Sequence, residues 1–229
     1  LNLKGENNMK TNAVTNQKAT IFSTKQMVLI SLFAALSYVL MLFKLPYKHL
    51  GFLEFEFSDI PAVIAALQFG PLAGVIIELI KNLVKAVTAT TTGGVGELAN
   101  FLISSAYILP VGLLYKLKTA KNSSREKTNL NNNKVKSSSY LYLIFVFSIG
   151  TIAMVVTGAV LNYFVMLPLY AKLFGGMESV IGFAAAGVPA IKDLASLVII
   201  GITPYNIVKG IAMSIIGYYT YRLLKGRLI

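Results

Sequence analysis

Apolar residues in this chain fall in blocks long enough to cross a bilayer, at Gln26 to Phe43, Ile60 to Phe69, Pro71 to Val87, Leu98 to Leu117, Leu141 to Phe174 and Leu194 to Leu224. Lipid offers the backbone no hydrogen-bond partners, so blocks of this kind predict helices, and the expected fold class is an all-α integral membrane bundle. The second and third blocks form one run interrupted at Gly70-Pro71, a pair that favours a tight reversal or a kink. A reversal gives six crossings, provided the second helix begins near Phe55; a single bent helix gives five.

Basic residues choose between these counts. Lys4, Lys10, Lys18 and Lys25 precede the first block; Lys116, Lys118, Lys121, Arg125, Lys127, Lys134 and Lys136 follow the fourth; Arg222, Lys225 and Arg227 close the chain. Cytoplasmic loops carry the excess of Lys and Arg, and only six crossings put all three groups on that side, with both termini cytoplasmic. The segments from Lys44 to Ser58, Thr88 to Gly96 and Lys172 to Asp193 then lie outside. Residues 1–25, polar and rich in Asn, Lys and Thr, read as a disordered cytoplasmic tail before a membrane domain over 26–229. Within that domain, residues 119–139 read as a flexible cytoplasmic loop. No internal repeat is evident.

Composition agrees with a membrane protein. Hydrophobic residues make up 55% of the 229 and charged residues 13%, with a mean hydropathy of +0.68, well outside soluble usage. The net charge of +12 sits beside the hydrophobic blocks rather than on a folded basic face, which argues against nucleic acid as a partner and for the lipid bilayer. With no cysteine and the single histidine His49, the chain offers no disulfide, thiol nucleophile or histidine-based metal site. A phosphate loop and a Gly-x-Ser-x-Gly turn are also missing, so neither an ATPase nor a serine hydrolase is expected.

The polar residues inside or beside the blocks carry the functional signal. On the six-crossing topology Glu54, Glu56, Asp59, Lys81, Lys85, Glu97, Asn100, Asn162 and Lys209 all fall in the outer half, a pattern that suits a pocket opening outward. Lys209 is the most costly of them, at roughly 2.5 to 3.5 kcal/mol for a charge at bilayer depth. It either snorkels to the interface or lines a cavity. Asn162, followed by the aromatic Tyr163 and Phe164, either bonds a neighbouring helix or meets a ligand. Glu78, Lys81 and Lys85 share a helical face, with Glu78 and Lys81 the default ion pair. Glu97 and Asn100 match the spacing of a helix start, and a carboxylate there is favoured with or without a ligand. The alternation Glu54-Phe55-Glu56 is either a solvated loop edge or part of a lid.

Together, Leu53-Glu-Phe-Glu-Phe-Ser-Asp-Ile-Pro61, Phe69-Gly-Pro-Leu-Ala-Gly74, Glu78-Leu-Ile-Lys-Asn82, Gly96-Glu-Leu-Ala-Asn-Phe101, Leu161-Asn-Tyr-Phe-Val-Met-Leu-Pro-Leu-Tyr170 and Pro204-Tyr-Asn-Ile-Val-Lys-Gly210 resemble the riboflavin-specific S components of energy-coupling-factor transporters, over residues 26–224. The resemblance implies a six-helix subunit of the cell membrane that captures riboflavin from outside and works with a transmembrane coupling protein and two ATPases. It implies no cofactor, riboflavin being cargo, and no enzymatic activity. It assigns the flavin ring to Asn162 and Lys209, the pocket cover to Lys44–Ser58, and small residues of the first helix to docking on the coupling protein. Ser31 and Ala35 have the required spacing, whereas Ala34 is followed by bulky Tyr38. The outer stretch Gly175 to Asp193 is longer than the family leads one to expect.

Riboflavin fits the residue inventory. Its flat ring needs apolar or aromatic walls with a few convergent polar groups. Lys209 donates, and Asn162 both donates and accepts, as an imide edge requires. Glu54, Glu97 and Asn100 are candidates for the ribityl hydroxyls, and Phe55, Tyr163 and Asn206 complete the expected binding set. The alternatives are an S component for another vitamin and a membrane-embedded enzyme.

Overall fold

A computed structural model describes residues 21–43, 48–50, 53–126 and 138–224. Most of the expected tail and the middle of the expected 119–139 loop lie outside the described residues. The helix α1 (Thr24–Leu42) starts at a reciprocal cap: the Ser23 hydroxyl accepts from the Gln26 amide, and the Gln26 side chain accepts from the Ser23 amide. Both satisfy donors that a helix start would leave bare.

The next two helices are α2 (Ile60–Phe69) and α3 (Pro71–Thr88). Between them Gly70 takes a φ of 102°, open to glycine and not to most residues. A Cβ on Gly74 would stand 2.7 Å from the Ala62 carbonyl oxygen and 2.6 Å from an Ile108 methyl. The two helices therefore fold back on one another in close contact, and the Gly70-Pro71 break is a reversal. One expectation fails: α2 begins at Ile60, not near Phe55, because residues 55–59 are non-helical. Its 10 residues reach roughly 15 Å, half of a hydrocarbon core.

The long α4 (Val95–Glu126) carries its helix through Thr119–Glu126, part of the segment read as a loop, and α5 starts at Ser138 (Ser138–Leu161). From α5 the chain passes through a π-helical turn, Asn162–Met166, into α6 (Leu167–Leu173). The long outer stretch after it contains a further helix, α7 (Met177–Gly187). The short α8 (Leu194–Ser196) then leads through a second π segment, Leu197–Ile202, into α9 (Thr203–Leu224). At the start of α8, the Ser196 amide and hydroxyl hold the Asp193 carboxyl below its ordinary range. The one departure from an all-helical fold among the described residues is a two-residue antiparallel ladder, β1 (Lys48–His49) with β2 (Leu53–Glu54), between α1 and α2.

Among the described residues, four helical stretches are long and apolar enough to cross a membrane: Thr24–Leu42, Val95–Lys121, Leu141–Leu173 and Leu194–Leu224. Their outward faces carry Leu32, Leu36, Leu113, Ile152, Val156 and Ile211, a belt that only lipid covers without penalty. Inside, Ala62, Ala65, Ala73, Ile77, Tyr107 and Met154 form the main core. A second cluster built on Leu50, Leu167, Val180, Ala184, Leu197 and Ile202 seats α7 and the hairpin against α6 and the π segment.

Two ends of the bundle are distinct. At one, Gly70 lies beside the Lys116 side chain, Tyr115 pairs with Tyr221 at 2.7 Å and Tyr142 donates to the Leu114 carbonyl. At the other, Tyr38 meets Thr88 at 2.8 Å near the start of α4.

Candidate functional site

Between these ends the interior is polar. Asp59, immediately before α2, is 1% exposed, and its two carboxylate oxygens are divided between two lysines. One meets the Lys81 ammonium from α3; the other meets Lys209 from α9 at 2.7 Å and accepts from Ser104 of α4 at 3.1 Å. Lys81 also donates to Ser58 and pairs with Glu78, each at 2.9 Å. Lys209 donates to the Asn100 side-chain oxygen at 3.0 Å, and the Asn100 amide donates to Glu56 at 2.8 Å. Four helices are thus tied through one carboxylate, and Asp59, Glu78, Lys81 and Lys209 each have an opposite charge beside them, as burial requires.

This network forms one wall of a cavity of about 350 Å³, at the lower end of the roughly 300–1,000 Å³ usual for small-molecule pockets. Lys209, Asn100, Asn162, Asn206, Glu97 and Glu56 supply its polar lining. Met41, Leu53, Ile103, Ile202, Tyr170 and Tyr205 supply apolar and aromatic surface. Asn162 and Glu97 are fixed from behind. Asn162 opens the first π turn and donates to the Gly158 carbonyl at 2.8 Å. Glu97, in the first turn of α4, accepts from Thr90 at 3.0 Å and Thr92 at 3.1 Å. Asn206 is buried, and its Nδ2 has no partner among the described residues. No group of three or more His, Cys, Asp or Glu side chains suited to a metal ion occurs among the described residues. The arrangement presents hydrogen-bonding groups to the cavity from several elements.

The family profile described as "ECF transporter, substrate-specific component" matches residues 25–221. The chain is 33% identical over 197 residues to the "Riboflavin transporter FmnP" of Bacillus subtilis (strain 168), covering 84% of this chain and 87% of that protein. It is 32% identical over 209 residues to the "Riboflavin transporter RibU" of Staphylococcus aureus (strain TCH60), covering 91% and 94%. A solved structure titled "Structure and mechanism of the S component of a bacterial ECF transporter" superposes with a TM-score of 0.61 at 33% identity, over 89% of this chain and 97% of that one. This chain belongs to the substrate-specific components of ECF transporters. It is accordingly a multi-pass protein of the cell membrane, and its relatives are named as transporters rather than enzymes.

Within this S component, the polar residues singled out from sequence are distributed unevenly around the cavity. Lys209, Asn162, Asn206, Glu97 and Asn100 line it. Lys209 does not snorkel: it is 6% exposed and engaged with Asp59 and Asn100. Asn100 does not cap α4; it bridges Lys209 and Glu56. Tyr163 lies outside the lining, 38% exposed, with its ring against Phe164. Phe55 stands one layer back, its ring 4.7 Å from that of Tyr205. The backbone of Glu54 pairs with Lys48, while its side chain lies outside the description. Ser31 and Ala35 are on the exposed face of α1, whereas Ala34 is buried.

Sequence reading did not assign Asp59, Tyr205 or Tyr170 to the site. A buried lysine demands a carboxylate, but choosing Asp59 from the outer acids needs a pairing 150 residues apart. We predict that Asp59→Asn, which leaves the buried Lys209 ammonium without a counter-charge and Lys81 with Glu78 alone, lowers stability by about 3–5 kcal/mol. Thermal unfolding in detergent measures it, and an unchanged midpoint would contradict the network.

Proposed function

We propose that this S component is the riboflavin-capturing subunit of its transporter, taking the vitamin from outside the cell. The observation that carries this reading is the convergence of Lys209, Asn162 and Asn206 from α5 and α9 on one cavity with aromatic and apolar walls. Its support from kinship is the identity to two riboflavin transporters. Lys209 holds two of its three donors on Asp59 and Asn100, and we assign the third to a flavin carbonyl. Asn162 spends one N–H on Gly158 and offers its carbonyl oxygen and second N–H to the imide edge. Glu97, Asn100 and Thr92, also in the lining, serve the ribityl chain.

Six crossings with both termini in the cytoplasm complete the proposal. The reversal at Gly70, beside Lys116, belongs to the basic side, and the non-helical stretch before Ile60 makes up the length that α2 lacks. The cavity then faces out. ATP-driven transport falls to partners, a transmembrane coupling protein and two ATPases, with Ser31 and Ala35 on the exposed face of α1 as the docking pair.

Three outcomes are expected. Riboflavin fluorescence is quenched on titration with purified protein at micromolar concentration, and excess thiamine, biotin or folate does not restore it; restoration by one of them reassigns the cargo. Asn162→Ala, which lies outside the charge network and leaves the fold intact, weakens riboflavin binding by about 1–3 kcal/mol, roughly fivefold to 150-fold. Because the chain has no native cysteine, single cysteines report sidedness cleanly. Ala89→Cys reacts with an impermeant maleimide on intact cells and Lys121→Cys reacts only after permeabilisation; the reverse pattern inverts the topology.

A further inference from the structure

Gly158 touches two of the three asparagines that line the cavity, Asn162 and Asn206, and contributes no side chain of its own. It lies one helical turn before Asn162, and its carbonyl receives the Asn162 amide at 2.8 Å. On its other side, a Cβ would stand 2.4 Å from Asn206 Nδ2 and 3.3 Å from Asn206 Cγ, with an Ile103 methyl at an ordinary 3.7 Å. The missing methyl group is therefore the space that the Asn206 amide occupies.

Gly74 and Gly112 do something different. At Gly74 a side chain would meet the Ala62 backbone carbonyl as well as an Ile108 methyl, and at Gly112 the Pro71 backbone; both set the spacing of helices. At Gly158 the obstacle is the mobile end of one side chain, and no atom of the α9 backbone stands among the nearest contacts. A methyl group there displaces an amide and leaves the helices where they are.

Asn206 and Asn162 are 2% and 6% exposed, and both line the cavity. A buried amide shifted by one rotamer well no longer meets the same ligand atom. We infer that Gly158 is a positioning residue for ligand recognition, holding Asn162 through its carbonyl and Asn206 through its absent side chain, so that the two amides face one ligand in a fixed relation. The inference rests on the riboflavin reading above and adds to it a residue with no ligand contact of its own.

The test is a double-mutant cycle on detergent-purified protein, with riboflavin fluorescence quenching as the affinity readout and thermal unfolding of the ligand-free protein as the control. Gly158→Ala is expected to weaken riboflavin binding tenfold or more (about 1.4 kcal/mol) with little change in unfolding temperature. Asn206→Ala also weakens binding, and the double variant binds as Asn206→Ala does, because nothing remains to be displaced. Wild-type affinity in Gly158→Ala, or a double variant whose loss is the product of the two single losses, overturns the inference. If Gly158→Ala fails to fold, Asn206→Ala and the double variant, in which the space is restored, decide alone. Equal affinities support the inference, and a further tenfold loss overturns it. A wild-type protein that leaves riboflavin fluorescence unchanged is a separate failure, which removes the riboflavin reading and the inference with it.

Discussion

One carboxylate sets the geometry of this bundle. Asp59 accepts Lys81 through one oxygen and Lys209 through the other, and takes Ser104 as well, so α3, α4 and α9 meet at the residue that starts α2. Ion pairs buried this way seldom add net stability over an apolar core, because desolvation offsets much of their attraction. What they supply is register. An ammonium group deprived of its partner in the interior is far costlier than one left paired, so arrangements that slide α9 along α2 or α3 by a turn are excluded. The position of the Lys209 head at the cavity wall follows from that exclusion.

The same constraint explains why α2 is short. Its helix begins at Ile60 because Glu56, Ser58 and Asp59 must turn inward to reach Asn100, Lys81 and Lys209. A helical backbone there would point successive side chains about 100° apart around the axis. Irregular backbone at membrane depth is tolerated where protein buries it or a cavity receives it, and both hold here. The π turns at Asn162 and Leu197 are a milder version of this irregularity, and such turns occur disproportionately at functional sites. One widens α5 at the asparagine that faces the cavity; the other lets Leu50 approach Gly201.

Much of this was legible in the chain, and the rest was hidden for identifiable reasons. Lengths and breaks of the apolar blocks fix the helical stretches, since lipid permits little else. The Glu78–Lys81 pair is readable because it spans less than one turn. Lys209, Asn162 and Asn206 stand out because polar groups in apolar blocks are expensive. Asp59 as the common counter-ion was not readable, since nothing local links residue 59 to residue 209. The outward turn of Tyr163 is what helical spacing of about 100° per residue gives the neighbour of a cavity-facing Asn162, so placing both at the ligand read adjacency in sequence as adjacency in space. The helix α7 was missed because Met177–Gly187 is too short to read as a span and too apolar to read as an ordinary loop; its buried Val180 and Ala184 reveal its role only once α6 and the π segment lie beneath it.

The charged wall of the cavity and the β1–β2 hairpin are held by forces of different size. The wall rests on paired charges whose disruption costs several kcal/mol. Over the loop end, the β1–β2 hairpin is pinned by Leu50, whose side chain is 3% exposed and packs against Gly201 and the Leu197–Ile202 segment. Full burial of a leucine contributes about 1.5–3 kcal/mol. Leu50 also holds a φ of 56°, a left-handed conformation that costs a side-chain-bearing residue roughly 1–2 kcal/mol. Most of what the contact contributes is therefore offset by the backbone that makes it. The recognition groups are thereby fixed by charge pairs, whereas the hairpin is held by a contact of small net value.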